Sequence, residues 1–277
     1  MGYCSTTDVY NATILTTSEV PSASVSDFIL AAEKDVDQFT RTTHWKVEDS
    51  GTASAGASTT LTDSTKAWTT NLYATNGYVW IYSGTGSGQM RQIASNTSTV
   101  LTVTSAWSTN PTSASLYRIV YTATVPYVSG SFDGNGTEEF WTDEVPVQIL
   151  ESLSIAGTTV TPSSVYLYGK VGKMKLSTTS EASNFSIAYP QQIALAYWFG
   201  RYPLTQDVKR YCIVLASLKT LEAQMGGTFD TPSTYRLPEG EMTVGQAYIN
   251  IRGTYDVLMK EKAHLEQEVL VKYTYIG

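Results

Sequence analysis

Apolar side chains fall at Val25, Phe28, Ile29, Ala32, Val36 and Phe39, the i, i+3, i+4, i+7 spacing of one helical face. This predicts a helix over 24–41, capped by Ser24 with Asp27 three residues on. Its other side, with Asp27, Lys34, Asp37, Gln38 and Arg41 around a lone Leu30, reads as solvated surface, with an interface to another chain as the alternative. A short helix, apolar on most sides, is expected over 193–202. Another is expected over 205–225, where Val208, Tyr211, Cys212, Leu215, Leu218, Leu221 and Met225 form a stripe ended by Gly226 and Gly227. A final helix is expected from Thr243, with Gln246 as its capping partner, through Tyr248, Ile251, Tyr255, Leu258, Lys262 and Leu265. The segment 269–275 then alternates like a strand.

Between the first helix and the later ones the pattern is that of strands. Runs at 77–82, 91–93, 100–104 and 117–121 are rich in aromatic and β-branched residues, and Gly84–Gly88 and Ser95–Thr97 punctuate them as turns. Further strands are expected at 139–141, 147–155, 165–167 and 174–176, with hairpin ends at 157–159 and 169–172. The order of elements predicts an α+β chain. A helical bundle forms its core, with a flanking β region, an inserted small all-β domain and an extended C-terminal segment. The expected divisions are 1–48 (N-terminal arm and first bundle helix), 49–120 (inserted all-β domain), 121–190 (β region) and 191–277 (closing helices and tail).

Composition sharpens this division. From 51 to 117 the only charged residues are Asp63, Lys66 and Arg91, against a background of Ser, Thr, Gly, Ala and Asn. The whole chain carries 18 Lys and Arg against 25 Asp and Glu, a net charge of -7, which opposes generic nucleic-acid binding. No apolar run reaches the length of a membrane span, and the first residues lack a basic stretch followed by an apolar one, so a soluble product outside the usual secretory route is expected. Met1-Gly2 with Thr6 matches a myristoylation pattern short enough to arise by chance.

Little in the chain suggests catalysis. Its two histidines, His44 and His264, stand in no recognisable constellation. His44 reads as a cation just past a helix end and His264 as part of a charged helix side, so no catalytic residue, cofactor or metal is expected. Cys4 and Cys212, far apart and without CxxC spacing, read as small apolar packing groups rather than metal ligands, with a disulfide left open but not indicated. Gly84–Gln89 lacks the lysine and following helix of a phosphate loop and reads as a hairpin turn. Asp133, Asn135, Thr137, Glu139 and Glu144 occupy calcium-loop positions, but Glu138 replaces the glycine of the sharp bend, which favours an acidic hairpin. Trp68, Tyr73, Tyr78, Trp80, Tyr82 and Trp107 offer either a core or a sugar-stacking surface, with packing preferred.

The first helix, the stretch Phe132-Asp133-Gly134-Asn135-Gly136 to Trp141 with Val145-Pro146-Val147, and the closing helices resemble head-to-tail connector adaptors of tailed viruses. Asp63–Trp68, Gly84–Gln89, Arg91–Ile93, Asn96-Thr97 and Leu116–Ile119 resemble a β module that recurs in structural proteins of such viruses. The resemblance implies a non-enzymatic virion protein at the head-tail junction, assembled in the host cytoplasm. It would form a homo-oligomeric ring, usually a dodecamer, beneath the portal. Its implied partners are its own copies, the portal protein and a neck or tail completion protein, with DNA passing through the lumen without sequence-specific binding and no membrane involved. Tyr248, Ile251, Tyr255 and Leu258, with Val269, Val271, Tyr273 and Tyr275 of the tail, are the expected contact residues. A receptor- or glycan-binding tail component using the β insert is the alternative.

Overall fold

The computed structural model describes residues 2–74, 76–185, 190–225, 234–237, 240–243 and 246–274, with backbone alone for 234–237, 240–243, 246–250 and 270–274. The described residues are mostly β, in antiparallel sheets of seven, four and three strands plus a two-stranded hairpin. This corrects the expected helical bundle core, because the sheets, not the helices, dominate the fold. The chain divides into a β unit, 41–204, and a helical unit built from 1–40 and 205–275.

In the β unit, the first sheet contains β1 (Lys46–Thr52), β2 (Ala55–Ala57), β3 (Thr60–Thr62), β4 (Gly77–Ser83), β5 (Gln89–Asn96), β6 (Val100–Val103) and β7 (Leu116–Tyr121) in the order β1-β7-β4-β5-β6-β3-β2. Alternate residues bury Leu61, Val79, Ile81, Ile93, Leu101, Tyr117 and Ile119 with Trp68, Tyr73 and Trp107 as one core. β8 (Tyr127–Phe132), β10 (Val147–Ile155), β11 (Thr158–Val160) and β14 (Ile193–Phe199) form the second sheet, ordered β11-β10-β14-β8. β9 (Glu139–Trp141), β12 (Val165–Tyr168) and β13 (Lys173–Leu176) form the third, with β13 central.

The seven-stranded sheet is welded to its neighbour rather than hung from it. Tyr78, Met90 and Val120 share a buried cluster with Trp45, Ile149 and Trp198. Beside it Arg91 Nη1 lies 2.6 Å from Glu151 Oε1, while Trp198 Nε1 donates to Glu151 Oε2 at 2.9 Å.

β14 overturns the helix expected at 193–202. Its run IALAYWF is buried at most positions and hydrogen-bonded on both sides, by β10 and β8. A strand covered on both faces needs no polar alternation, so its apolar run carries no period that separates it from a buried helix.

The helical unit holds α1 (Thr6–Thr13), α2 (Ser22–Thr40), α3 (Gln206–Gln224) and α4 (Gln246–Thr274), with a hairpin of β15 (Thr234–Leu237) and β16 (Gly240–Thr243) preceding α4. α1 was not expected. Ser5 and Asp8 form its capping box, Asp8 N donating to Ser5 Oγ at 3.1 Å and Ser5 N to Asp8 Oδ2 at 2.9 Å. α2 buries Val25, Ile29, Ala32 and Val36 as its spacing predicts, but it starts at Ser22, so Ser24 lies inside it. Asp37, expected on the wet side, is buried and accepts from Tyr3 Oη at 2.9 Å. α3 is buried almost all round from Tyr211 to Leu221.

α4 begins at Gln246, since Thr243 closes β16, and runs about 44 Å at 1.5 Å per residue. It buries a narrow seam of Leu258, Leu265 and Val269. The expected strand at 269–275, and with it the extended C-terminal segment, is corrected as far as Thr274, where the helix continues. Once a helix is nucleated each further residue costs little, and Val269 extends the seam one turn past Leu265. Those two effects outweigh the strand preference of the β-branched residues.

Candidate interaction surfaces

Within the helical unit, α1, α3 and α4 enclose an open groove of about 760 Å³. Ala12, Ile14, Ile213, Val257 and Leu258 form its apolar bed, and Asp8, Arg210 and Glu261 lie along its rim. Arg210 grips Glu261 with two hydrogen bonds, Nε to Oε1 at 2.6 Å and Nη2 to Oε2 at 2.8 Å. Ile14 is 78% exposed and Val257 64% exposed.

Two residues of this groove break local rules. Ile14 caps α1 at φ 63°, ψ 13°, a left-handed conformation that suits glycine and costs a β-branched residue about 1–2 kcal/mol. Gly253 sits inside α4, where glycine costs roughly 1 kcal/mol relative to alanine, yet a Cβ built there meets nothing within 4 Å. Packing among the described residues explains neither choice. Sites where local preference is overridden without internal gain are where function is expected.

On the β unit, the three-stranded sheet buries Phe140, Val165, Met174 and Leu176 on one face. Its other face carries two cross-strand rows. Tyr168, Lys173 and Trp141 pair in one register line, and Tyr166, Lys175 and Glu139 in the other. Trp141, Tyr166 and Tyr168 are each more than half exposed. Lys173 Nζ lies 5.7 Å from the Trp141 ring centre, 5.5 Å from that of Tyr168 and 2.7 Å from Glu139 Oε1. The period-two spacing of Tyr166 and Tyr168 was the available sequence signal for this face.

The expected contact residues fare differently. Leu258 and Val269 are buried inside the helical unit, and Leu258 also lines the bed of the groove. Ile251 and Tyr255 are half-buried, and Tyr255 Oη donates to Glu222 Oε1 at 3.2 Å. Tyr248, Val271 and Tyr273 lie on α4 with side chains outside the described residues, and Tyr275 lies outside them altogether.

The residues weighed for chemistry are engaged in packing or turns. His44 is fully buried, and burial, then the nearby Arg201, brings its pKa down to about 3, so it is neutral rather than the helix-capping cation expected. His264 is exposed, 3.9 Å from Glu268. In the loop weighed for calcium, Asn135 Oδ1 accepts from Thr137 N and Oγ1, Asp133 accepts from Gln191 N, and Glu139 pairs with Lys173. Among the described residues no group of three or more His, Cys, Asp or Glu side chains could hold a metal ion, and no helix is long and apolar enough to cross a membrane.

The motif of the β insert is structural stitching. Asp63 accepts from Tyr117 Oη at 2.8 Å, Trp68 Nε1 donates to Asp49 at 2.7 Å, and Asn96 Oδ1 accepts from Tyr73 N at 2.9 Å. Gly84 stands at φ +80°, where a Cβ would lie 1.8 Å from Ala114 O, so the turn requires glycine. Trp68, Tyr73, Tyr78 and Trp107 are buried, and Arg118 fills the space over Trp80 and Tyr82, 5.5 Å and 4.0 Å from their ring centres. The aromatics weighed for sugar stacking are therefore occupied by the protein itself. No protein-family model matches the chain, and no curated protein matches its sequence.

Proposed function

We propose that the chain is a virion structural protein, an adaptor that forms a ring with its own copies beneath the portal of a tailed virus and joins it to the next neck or tail component. The observation that carries this reading is the coincidence of Ile14 and Gly253 in one open groove. Among the described residues nothing packs on the strained apolar knob or fills the space beside the glycine, whereas a second backbone packed closely on α4 uses both.

A sister copy supplies a matching piece. On the outer face of α2, Leu30 is 43% exposed between Asp27 and Lys34, an apolar group flanked by both charge signs. The groove is an apolar bed rimmed by Arg210, Asp8 and Glu261. Two different patches meeting head to tail make a heterologous contact, which generates a ring when the rotation it imposes closes. The aromatic sheet face offers a second surface for a different protein, since exposed Trp and Tyr are the residues that anchor protein interfaces.

Charge supports the same reading. The segments 1–40 and 205–275 hold 15 carboxylates against nine Lys and Arg, while 41–204 holds ten against nine, so the helical unit carries almost all of the net negative charge. A ring built from that unit repels phosphate and leaves a passing duplex mobile.

Electron microscopy of virus particles carrying this chain tests the proposal. A ring of the chain between portal and tail is the expected result. Its absence from the particle, or its location only at a distal fibre tip, overturns the reading.

A further inference from the structure

The helical unit is assembled from two stretches of chain that meet at a pair of sulfur atoms. Cys4, just before α1, and Cys212, in the middle of α3, are both buried free thiols, 208 positions apart in sequence, with their Sγ atoms 3.7 Å apart. Cys4 sits in an N-terminal strap fastened to α2, where Tyr3 N donates to Glu33 and Tyr3 Oη to Asp37. The pair therefore brackets the whole β unit.

We infer that Cys4 and Cys212 are an oxidation site at which a small disulfide oxidant converts the two thiols into a covalent bond joining the N-terminal strap to α3. The exchange balances with a low-molecular-weight disulfide such as glutathione disulfide as oxidant. Cys4 loses its proton and its sulfur attacks one glutathione sulfur, releasing one glutathione thiolate, which takes up that proton. Cys212 then loses its proton, attacks Cys4 Sγ and expels the second glutathione. Two protein thiols are oxidised and one small disulfide is reduced to two thiols. The sulfurs must approach from 3.7 Å to about 2.05 Å for the bond to form.

The surroundings set the rate. Cys4 beside it, burial, and the Glu33 and Asp37 carboxylates push the Cys212 thiol up, which disfavours the reactive thiolate. Both sulfurs are also shielded from solvent, so the oxidant reaches Cys4 only when the strap lifts. The strap's hold on α2 is thus the gate. In a particle made in a reducing cell and released into an oxidising medium, the bond would lock the helical unit after assembly. That consequence rests on the adaptor reading, while the bond itself does not.

The test uses the full chain incubated natively with glutathione disulfide, then denatured and alkylated. The expected product is about 2 Da lighter than the reduced chain and takes up no alkyl group, where the reduced chain takes up two. It migrates faster on a non-reducing denaturing gel because most of the chain is looped, and its melting temperature rises by roughly 5 °C or more. Tyr3→Phe, which removes the hydrogen bond to Asp37, should speed the oxidation severalfold, and Cys4→Ser should abolish the fast-migrating form. Two alkylatable thiols after prolonged oxidation, a stable glutathione adduct alone, or disulfide-linked dimers would each overturn the inference. Absence of rings in micrographs would leave it standing.

Discussion

The polar stitching of the seven-stranded sheet and the packing of the helical unit act over very different distances along the chain. Asp63, Trp68, Asn96 and Gln89 of the first sheet find partners within some 60 residues, mostly in a neighbouring strand or turn. Helices α1 and α2 depend on α3 and α4, which follow only after the entire β unit. The first region closes on itself. In the second, closure is partial, because α4 is covered along one seam and leaves Val257 and Met259 exposed. Among the described residues that surface is left open, which is where the proposed adaptor would receive a second copy.

The largest effect should come from the weld inside the β unit. Trp45 is fully buried, donates to Phe199 O at 3.1 Å and meets Trp80 edge-on at 5.7 Å. Trp45→Ala should cost about 4 kcal/mol in urea unfolding followed by near-ultraviolet dichroism. A cost near zero would mean that the two sheets do not share a core.

Acid separates the units next. The pKa of His44 lies near 3 in the folded β unit, while an unfolded histidine takes a proton below about 6.5. Between those values the unfolded chain binds a proton that the folded chain refuses. Stability from this residue is therefore unchanged above the window and falls as pH drops through it, approaching about 1.4 kcal/mol per pH unit. His44→Gln should flatten that slope in pH-dependent unfolding.

Smaller and opposite in sign is Gly253→Ala. With open space at its Cβ, the substitution should stabilise the full chain, in its monomeric form, by about 1 kcal/mol in thermal unfolding. The same variant should weaken self-association, whereas equal or stronger association would remove the close approach of a second copy. Last comes Arg210→Ala. This ion pair is partly exposed and lies on the groove rim, so its loss should cost no more than about 1 kcal/mol in the same unfolding assay.

The same contrast of distances decides what was legible. Strands such as β4 and β10 could be read because they are bounded by Gly, Asn or Pro, signals carried within a few residues. β14 could not, since cover on both faces removes its period. The end of α4 was misread because its β-branched letters favour a strand, while the helix before it and the seam at Leu258 and Leu265 decide the matter. α1 had left one readable mark, Ser5 and Asp8 at capping spacing.

Burial of Asp37 and the meeting of Cys4 with Cys212 have no local signature, because each depends on a partner far along the chain. The groove is hidden for the same reason. Ile14 and Gly253 are ordinary letters until the backbone shows that one is left-handed and the other has room to spare.

Sedimentation velocity of the full chain and its Val257→Asp variant, run side by side at rising concentration, tests the self-association claim most directly. Val257 is 64% exposed in the monomer, so the substitution should leave the fold and its circular dichroism intact. The wild-type chain should shift to a closed multimer while the variant stays monomeric. Identical sedimentation of the two proteins at every concentration would contradict the claim that the helical unit is completed by its own copies.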